Sequence, residues 1–142
     1  MNHESQLVIY ADGGISPSRA GAGIVVQNEL GHVVLVANRT LKPMTNTEAE
    51  YYGLIMALET AKRLPAQKIE VRLDSEVVVY QMAGKFAVRS ATLKPLHRRA
   101  CELARALPAV SYTHVPREQN LVANALAGEA VAGRRWCSKG IA

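Results

Sequence analysis

Leu7-Val8-Ile9-Tyr10-Ala11-Asp12-Gly13-Gly14 sets an apolar run against an acid and two glycines. Residues 6–11 read as a buried strand that ends where Asp12-Gly13-Gly14 begins. Ile15-Ser16-Pro17-Ser18-Arg19 follows as a loop, and Ala20 to Gln27 is a second apolar run. Asn28-Glu29-Leu30-Gly31 then turns the chain into His32 to Ala37, so the opening third predicts a three-stranded antiparallel meander.

From Asn46 the apolar period changes. Leu54, Leu58 and Ala61 share one face with Ile55, the spacing of a helix that runs to Leu64 and stops at Pro65. Glu50 lies on that inward stripe, whereas Glu48 points elsewhere as an exposed first-turn acid. Residues 68–73 alternate as a strand and end at Asp74-Ser75, with Ser75 a candidate N-cap for a helix over 76–83 closed by Gly84. A helix over 92–106, a strand over 110–115 and a last helix through Leu121, Ala123, Leu126, Ala127 and Ala130 complete the chain. This order predicts an α/β domain with a mixed five-stranded sheet, its second strand antiparallel to its neighbours, and helices on both faces.

With 142 residues, 49% of them hydrophobic, the chain suits one domain, expected over 1–133, with a short basic tail over 134–142. No apolar run approaches the roughly 20 residues that span a bilayer, and residues 1–6 lack the basic and apolar parts of a secretory signal, so a cytoplasmic protein is expected. Cys101 and Cys137 have neither ligand spacing nor a disulfide framework and are expected as free thiols. Net charge is +5, and Lys85, Arg89, Lys94, Arg98, Arg99 and Arg105 crowd one stretch. Such crowding fits attraction to a polyanion and equally a solvated helix face.

Asp12, Glu50 and Asp74 stand at three structural punctuation marks: two strand ends and a helix start. Carboxylates at the ends of buried strands are costly unless a cation or hydrogen bonds compensate them. Singly, Asp12 could be a turn residue and Asp74 part of a helix cap. Glu50 on an apolar face is hardest to explain without a partner, and the three together read as a divalent-metal site.

Four segments in order carry a resemblance: Asp12-Gly13-Gly14, the stretch Thr45-Asn46-Thr47-Glu48-Ala49-Glu50-Tyr51, the pair Asp74-Ser75, and Asn120-x-x-Ala-x-Ala-Leu-Ala. Over roughly residues 7–130 the chain resembles type 1 ribonuclease H, in a short form lacking the long basic handle. The resemblance implies an endonuclease that hydrolyses the RNA strand of RNA–DNA hybrids and leaves 5′-phosphate products. It also implies two Mg2+ ions, with Mn2+ as substitute, held by Asp12, Glu50, Asp74 and the residue at position 124. Such a pair, about 3.5–4 Å apart, activates the attacking water and stabilises the leaving 3′ oxygen. By the same resemblance Asn46, Ser75 and Glu76 line the RNA side, Gly13 and Gly14 allow close backbone approach, and Thr45 helps hold a DNA phosphate. Lys85, Arg89 and Lys94 stand in for the handle, with Arg117 and Asn120 as further contacts. The protein is expected to act as a monomer.

Two departures stand out. The family's fourth acid is Asn124 here, which can coordinate a hard cation but brings no charge, so one metal position should weaken. The loop that carries a catalytic His in many relatives is short: His114-Val115-Pro116 runs straight into Arg117-Glu118-Gln119-Asn120. His114 aligns better with the strand end than with that loop His, leaving Arg117 or Glu118 in the vacated neighbourhood. Two alternatives stand beside the nuclease: a hybrid-binding protein whose cleavage is impaired by Asn124, and a nuclease of the same fold on another nucleic acid.

Overall fold

Alternating burial along β1 (Gln6–Ile15) turns Leu7, Ile9 and Ala11 to one side of the sheet. The computed structural model describes residues 5–139. Within them β1 joins β2 (Ala20–Gln27), β3 (Val33–Leu41), β4 (Lys68–Leu73), β5 (Val110–His114) and β6 (Cys137–Lys139) in one sheet of order β5-β4-β1-β2-β3-β6. β2 runs antiparallel to β1 and β3, whereas β1, β4 and β5 are mutually parallel. The mixed sheet expected from the element order is therefore present.

Its helices lie on both faces. α1 (Asn46–Lys62), α2 (Glu76–Met82) and α3 (Leu93–Arg105) bury Leu54, Leu58, Val78 and Leu103 in one core with Ile9, Ile24, Val71 and Leu73. α4 (Leu121–Val131) covers the opposite face, where Ala123 and Leu126 pack on Val25. A 3-10 turn at Arg117–Gln119 links β5 to α4. Ser75 caps α2 as expected, its Oγ accepting from the Val78 amide at 3.3 Å.

Three expectations are corrected. The sheet has six strands, because Cys137–Lys139 of the expected tail pairs antiparallel with Leu35–Ala37. Asn38 makes that pairing possible: its backbone amide donates to the Trp136 carbonyl at 2.9 Å, and its Oδ1 accepts from the Trp136 amide at 2.7 Å. β1 does not end at Asp12 but continues through both glycines to Ile15, paired with Ala20 to Gly23 of β2. β3 extends to Leu41. Both cysteines are free, Cys101 half-buried and Cys137 exposed. Among the described residues no helix is long and apolar enough to cross a membrane.

Candidate metal centre

The parallel pairing of β1 with β4 stops at Ala11 and Leu73, so Asp12, still within β1, and Asp74, just past the end of β4, stand at the same level. Glu50 reaches them from the first turns of α1. One carboxylate oxygen from each of Asp12, Glu50 and Asp74 lies within 4.8 Å of the others. That convergence is the outcome the sequence reading needed.

Glycine explains how α1 comes so near. A Cβ on Gly13 would sit 2.2 Å from the Ala49 carbonyl carbon and 2.4 Å from the Glu50 amide nitrogen. From the other side, a Cβ on Gly53 would meet the Asp12 carbonyl oxygen at 2.6 Å. Helix and strand therefore touch backbone to backbone beside the two acids, a spacing any side chain would forbid. Gly13, expected to admit a substrate backbone, admits α1 instead. Gly14 has room, with only ordinary contact to Val131 and Ala127. Gly53 escaped the sequence reading because a glycine inside a helical period carries no local signal of what it packs against.

The opposite face repeats the device. Cβ atoms on Gly21 and Gly23 of β2 would lie 2.6 Å and 2.7 Å from the Ala127 and Ala123 carbonyl oxygens, so α4 rests directly on β2. This brings Asn124 to the centre, where its Nδ2 donates to Asp12 Oδ2 at 2.7 Å.

Electrostatics follow from burial. Asp12 is 3% exposed, and desolvation raises its pKa to about 6, with Asp74 adding repulsion and the Asn124 amide pulling the other way. Glu50 is raised to about 7, again chiefly by desolvation, eased by a hydrogen bond from Ser75 and worsened by Asp12 and Asp74. Three crowded oxygen donors, two of them resisting ionisation, suit a hard divalent cation whose charge would offset both penalties.

The other expected contacts divide. Thr45 caps α1 in a reciprocal box with Glu48: its Oγ1 accepts from the Glu48 amide, and its own amide donates to Glu48 Oε1 at 2.8 Å. Its hydroxyl proton stays available at an exposed position. Glu48 is half-buried by this contact, not fully exposed as expected. Asn46 and Glu76 are exposed in the first turns of α1 and α2. The Ser75 side chain is buried, and its hydroxyl oxygen accepts from the Val78 amide. Arg117 is exposed in the 3-10 turn, and His114 ends β5 as a strand residue opposite Leu73. Lys85, Arg89 and Lys94 are all exposed. Lys94 lines a groove of about 540 Å3 between α3 and the segment after α2, with Phe86, Arg98 and Arg105, whereas Lys85 and Arg89 lie outside its lining. Asn120 is the clear correction: expected on the substrate side, it is 1% exposed and donates from Nδ2 to the Ala11 carbonyl at 3.0 Å. An amide committed to the strand backbone is not free to read a substrate.

Comparison with known proteins agrees with this geometry. A family model described as reverse transcriptase-like matches residues 11–130. Ribonuclease HI of Halobacterium salinarum is 38% identical over 124 residues, covering 86% of this chain and 62% of that protein. Bifunctional protein Rv2228c of Mycobacterium tuberculosis is 38% identical over 129 residues, covering 89% of this chain and 35% of that protein. The chain thus spans about a third of the mycobacterial relative's length and less than two thirds of the haloarchaeal one's. Among solved structures, the N-terminal RNase H domain of Rv2228c superposes with a TM-score of 0.86 at 37% identity, covering 90% of this chain and 94% of that one. LC11-RNase H1, solved in complex with an RNA/DNA hybrid, gives 0.84 at 34% identity over 89% of this chain and 97% of that one.

Proposed function

We infer the function from this premise: the chain belongs to the reverse transcriptase-like family, in its type 1 ribonuclease H branch. It is an endonuclease that hydrolyses the RNA strand of RNA–DNA hybrids and leaves 5′-phosphate ends. The observation that carries this reading is the meeting of Asp12, Glu50 and Asp74 oxygens within 4.8 Å, where the parallel pairing of β1 with β4 stops. Asp12, Glu50 and Asp74 would hold two Mg2+, or Mn2+ in their place, with Asn124 beside them. Bound there, the pair supplies an activated water and neutralises charge on the leaving 3′ oxygen.

The chain's own residues do the rest. Asn124 holds one Asp12 oxygen by a hydrogen bond and leaves the other carboxylate oxygens to the cations. The Ser75 hydroxyl orients Glu50. Asn46 and Glu76, exposed beside the centre, face the minor groove of the hybrid, where 2′-hydroxyls distinguish RNA from DNA. Thr45 donates its free hydroxyl proton to a phosphate of the DNA strand. Lys85, Arg89 and Lys94 attract the backbone, and Arg117 contributes from the turn before α4. The protein acts as a monomer.

The test uses a labelled hybrid with Mg2+ or Mn2+ and compares the protein with its Asn124→Asp form. Cleavage by the protein as it stands is expected, with Asn124→Asp at least as fast at limiting metal. If neither form cleaves the hybrid, the enzyme reading is wrong; if only the Asp form cleaves, the chain is a hybrid-binding module. Competition by double-stranded DNA, double-stranded RNA and single strands checks the substrate class, and only the hybrid should compete at low concentration.

A further inference from the structure

We propose that Asn120 is a positioning residue, which sets the Asn124 amide against the Asp12 carboxylate by pinning the first turn of α4 to β1. The proposal rests on the metal-centre reading above.

Hydrogen bonds close a circuit here. Asn120 Nδ2 donates to the Ala11 carbonyl at 3.0 Å, at the level where β1 loses its pairing with β4. The Asn120 carbonyl accepts the first helical bond of α4, from the Asn124 amide, at 3.0 Å. One turn on, the Asn124 side chain donates to Asp12 Oδ2 at 2.7 Å. Ala11 and Asp12 are consecutive, so four residues form one ring that joins strand to helix.

The cost of this arrangement shows what it is for. Asn at the start of a helix ordinarily turns its side-chain oxygen onto the amides of the first turn. Asn120 occupies that position in α4 but makes no capping bond. Its Oδ1 is instead buried and accepts no hydrogen bond from the described residues. An amide kept to start the helix would cap it, and one kept to fill space would be replaced by an apolar side chain at lower cost. The donor to Ala11 is what remains.

That donor does something the rest of the interface does not. Contact through Gly21 and Gly23 sets how near α4 lies to the sheet, with Ala123, Leu126 and Ala130 packed there, and such apolar packing is not directional as a hydrogen bond is. Asn38 Nδ2 and Thr40 Oγ1 stop the later turns, at the Leu126 and Ala130 carbonyls. Asn120 stops the first turn, the one from which Asn124 reaches Asp12.

The experiment measures Mn2+ affinity by titration calorimetry, without substrate, in the whole protein and in Asn120→Ala, Asn124→Ala and the double variant. Asn120→Ala should weaken Mn2+ binding about five-fold in the parent and less than about two-fold when Asn124 is already Ala, because the effect passes through that side chain. An equal loss in both backgrounds would mean that Asn120 only supports the fold, and would overturn the proposal; so would an unchanged affinity in the parent. Should Asn120→Ala not fold, Asn120→Ser, with a shorter donor, goes through the same cycle under the same criteria. A parent protein that binds no Mn2+ would remove the metal-centre reading and this proposal together, whereas binding with equal losses removes only the proposal.

Discussion

Desolvation holds the Asp12 carboxyl near 6 and Glu50 near 7, against ordinary values of 3.8 and 4.5, and the sign of that shift governs two outcomes. In metal-free protein the folded state keeps protons that the unfolded chain has already released. Stability is therefore highest below about pH 4 as far as these two groups are concerned, and falls as pH climbs through about 6 to 7. A bound cation reverses the penalty. Melting curves should show Mn2+ raising Tm by more at pH 7.5 than at pH 5.5, and hybrid cleavage at fixed Mn2+ should decline as pH drops below 7. Replacing Asp12 by Asn removes a charge from this crowd and a ligand from the centre. Cleavage should fall by at least about a hundred-fold while metal-free Tm stays level or rises, and a folded Asp12→Asn protein with full activity would show the assignment to be wrong. All three acids were legible in the sequence because each interrupts a pattern: a polar residue closing an apolar run, or standing on an apolar helical face. Asn120 was legible only as a motif letter. Its role depends on the Ala11 carbonyl, which a distant strand supplies.

Two strands were readable to the residue where turn formers bound them, while the helices stopped by Pro65 and Gly84 end at Lys62 and Met82, one or two residues sooner than expected. β2 and β4 occupy the expected positions, since Pro, Gly and Asn before β2 and after it, and Pro65 and Asp74 around β4, leave no ambiguity about where pairing stops. β1 was read short because Asp-Gly-Gly has the composition of a turn. The glycines are there for a non-local reason, the seat of α1, which no window of neighbouring residues reveals. β6 was missed because three residues in a basic segment form a strand only through β3 and the two bonds of Asn38. This packing gives a prediction at the same scale. Gly13→Ala and Gly53→Ala each force a methyl into backbone 2.2–2.6 Å away and should destabilise the fold by about 3 kcal/mol, as overpacking does when the neighbour cannot yield. Gly14→Ala, with contacts no nearer than 3.7 Å, should cost about 1 kcal/mol or less. Urea unfolding of the three variants checks the order.

Across the whole molecule, the acids gather at one end of the sheet, while Lys94, Arg98 and Arg105 border the groove beside α3 and Lys85 and Arg89 stand exposed in the segment between α2 and α3. Affinity for a hybrid should thus fall with salt, and replacing Lys85, Arg89 and Lys94 together by Ala should reduce the slope of log K against log salt by about 2–3, one phosphate contact for each cation lost. A filter-binding series with Ca2+ in place of the catalytic ions would measure it; an unchanged slope would return these side chains to ordinary solvation, the reading that charge alone left open. The mixed character of the sheet and the two-sided helix layers were legible because parallel crossovers have one favoured hand. How close the layers lie was not, since that is decided by which small residues happen to face one another. The last strand carries a practical corollary. β6 runs antiparallel to β3, so from Cys137 to Lys139 the chain heads toward the level of Leu35, away from the pole where Asp12 and Asp74 sit. At Lys139 the chain thus points to the rear of the molecule, away from the front that a duplex would approach.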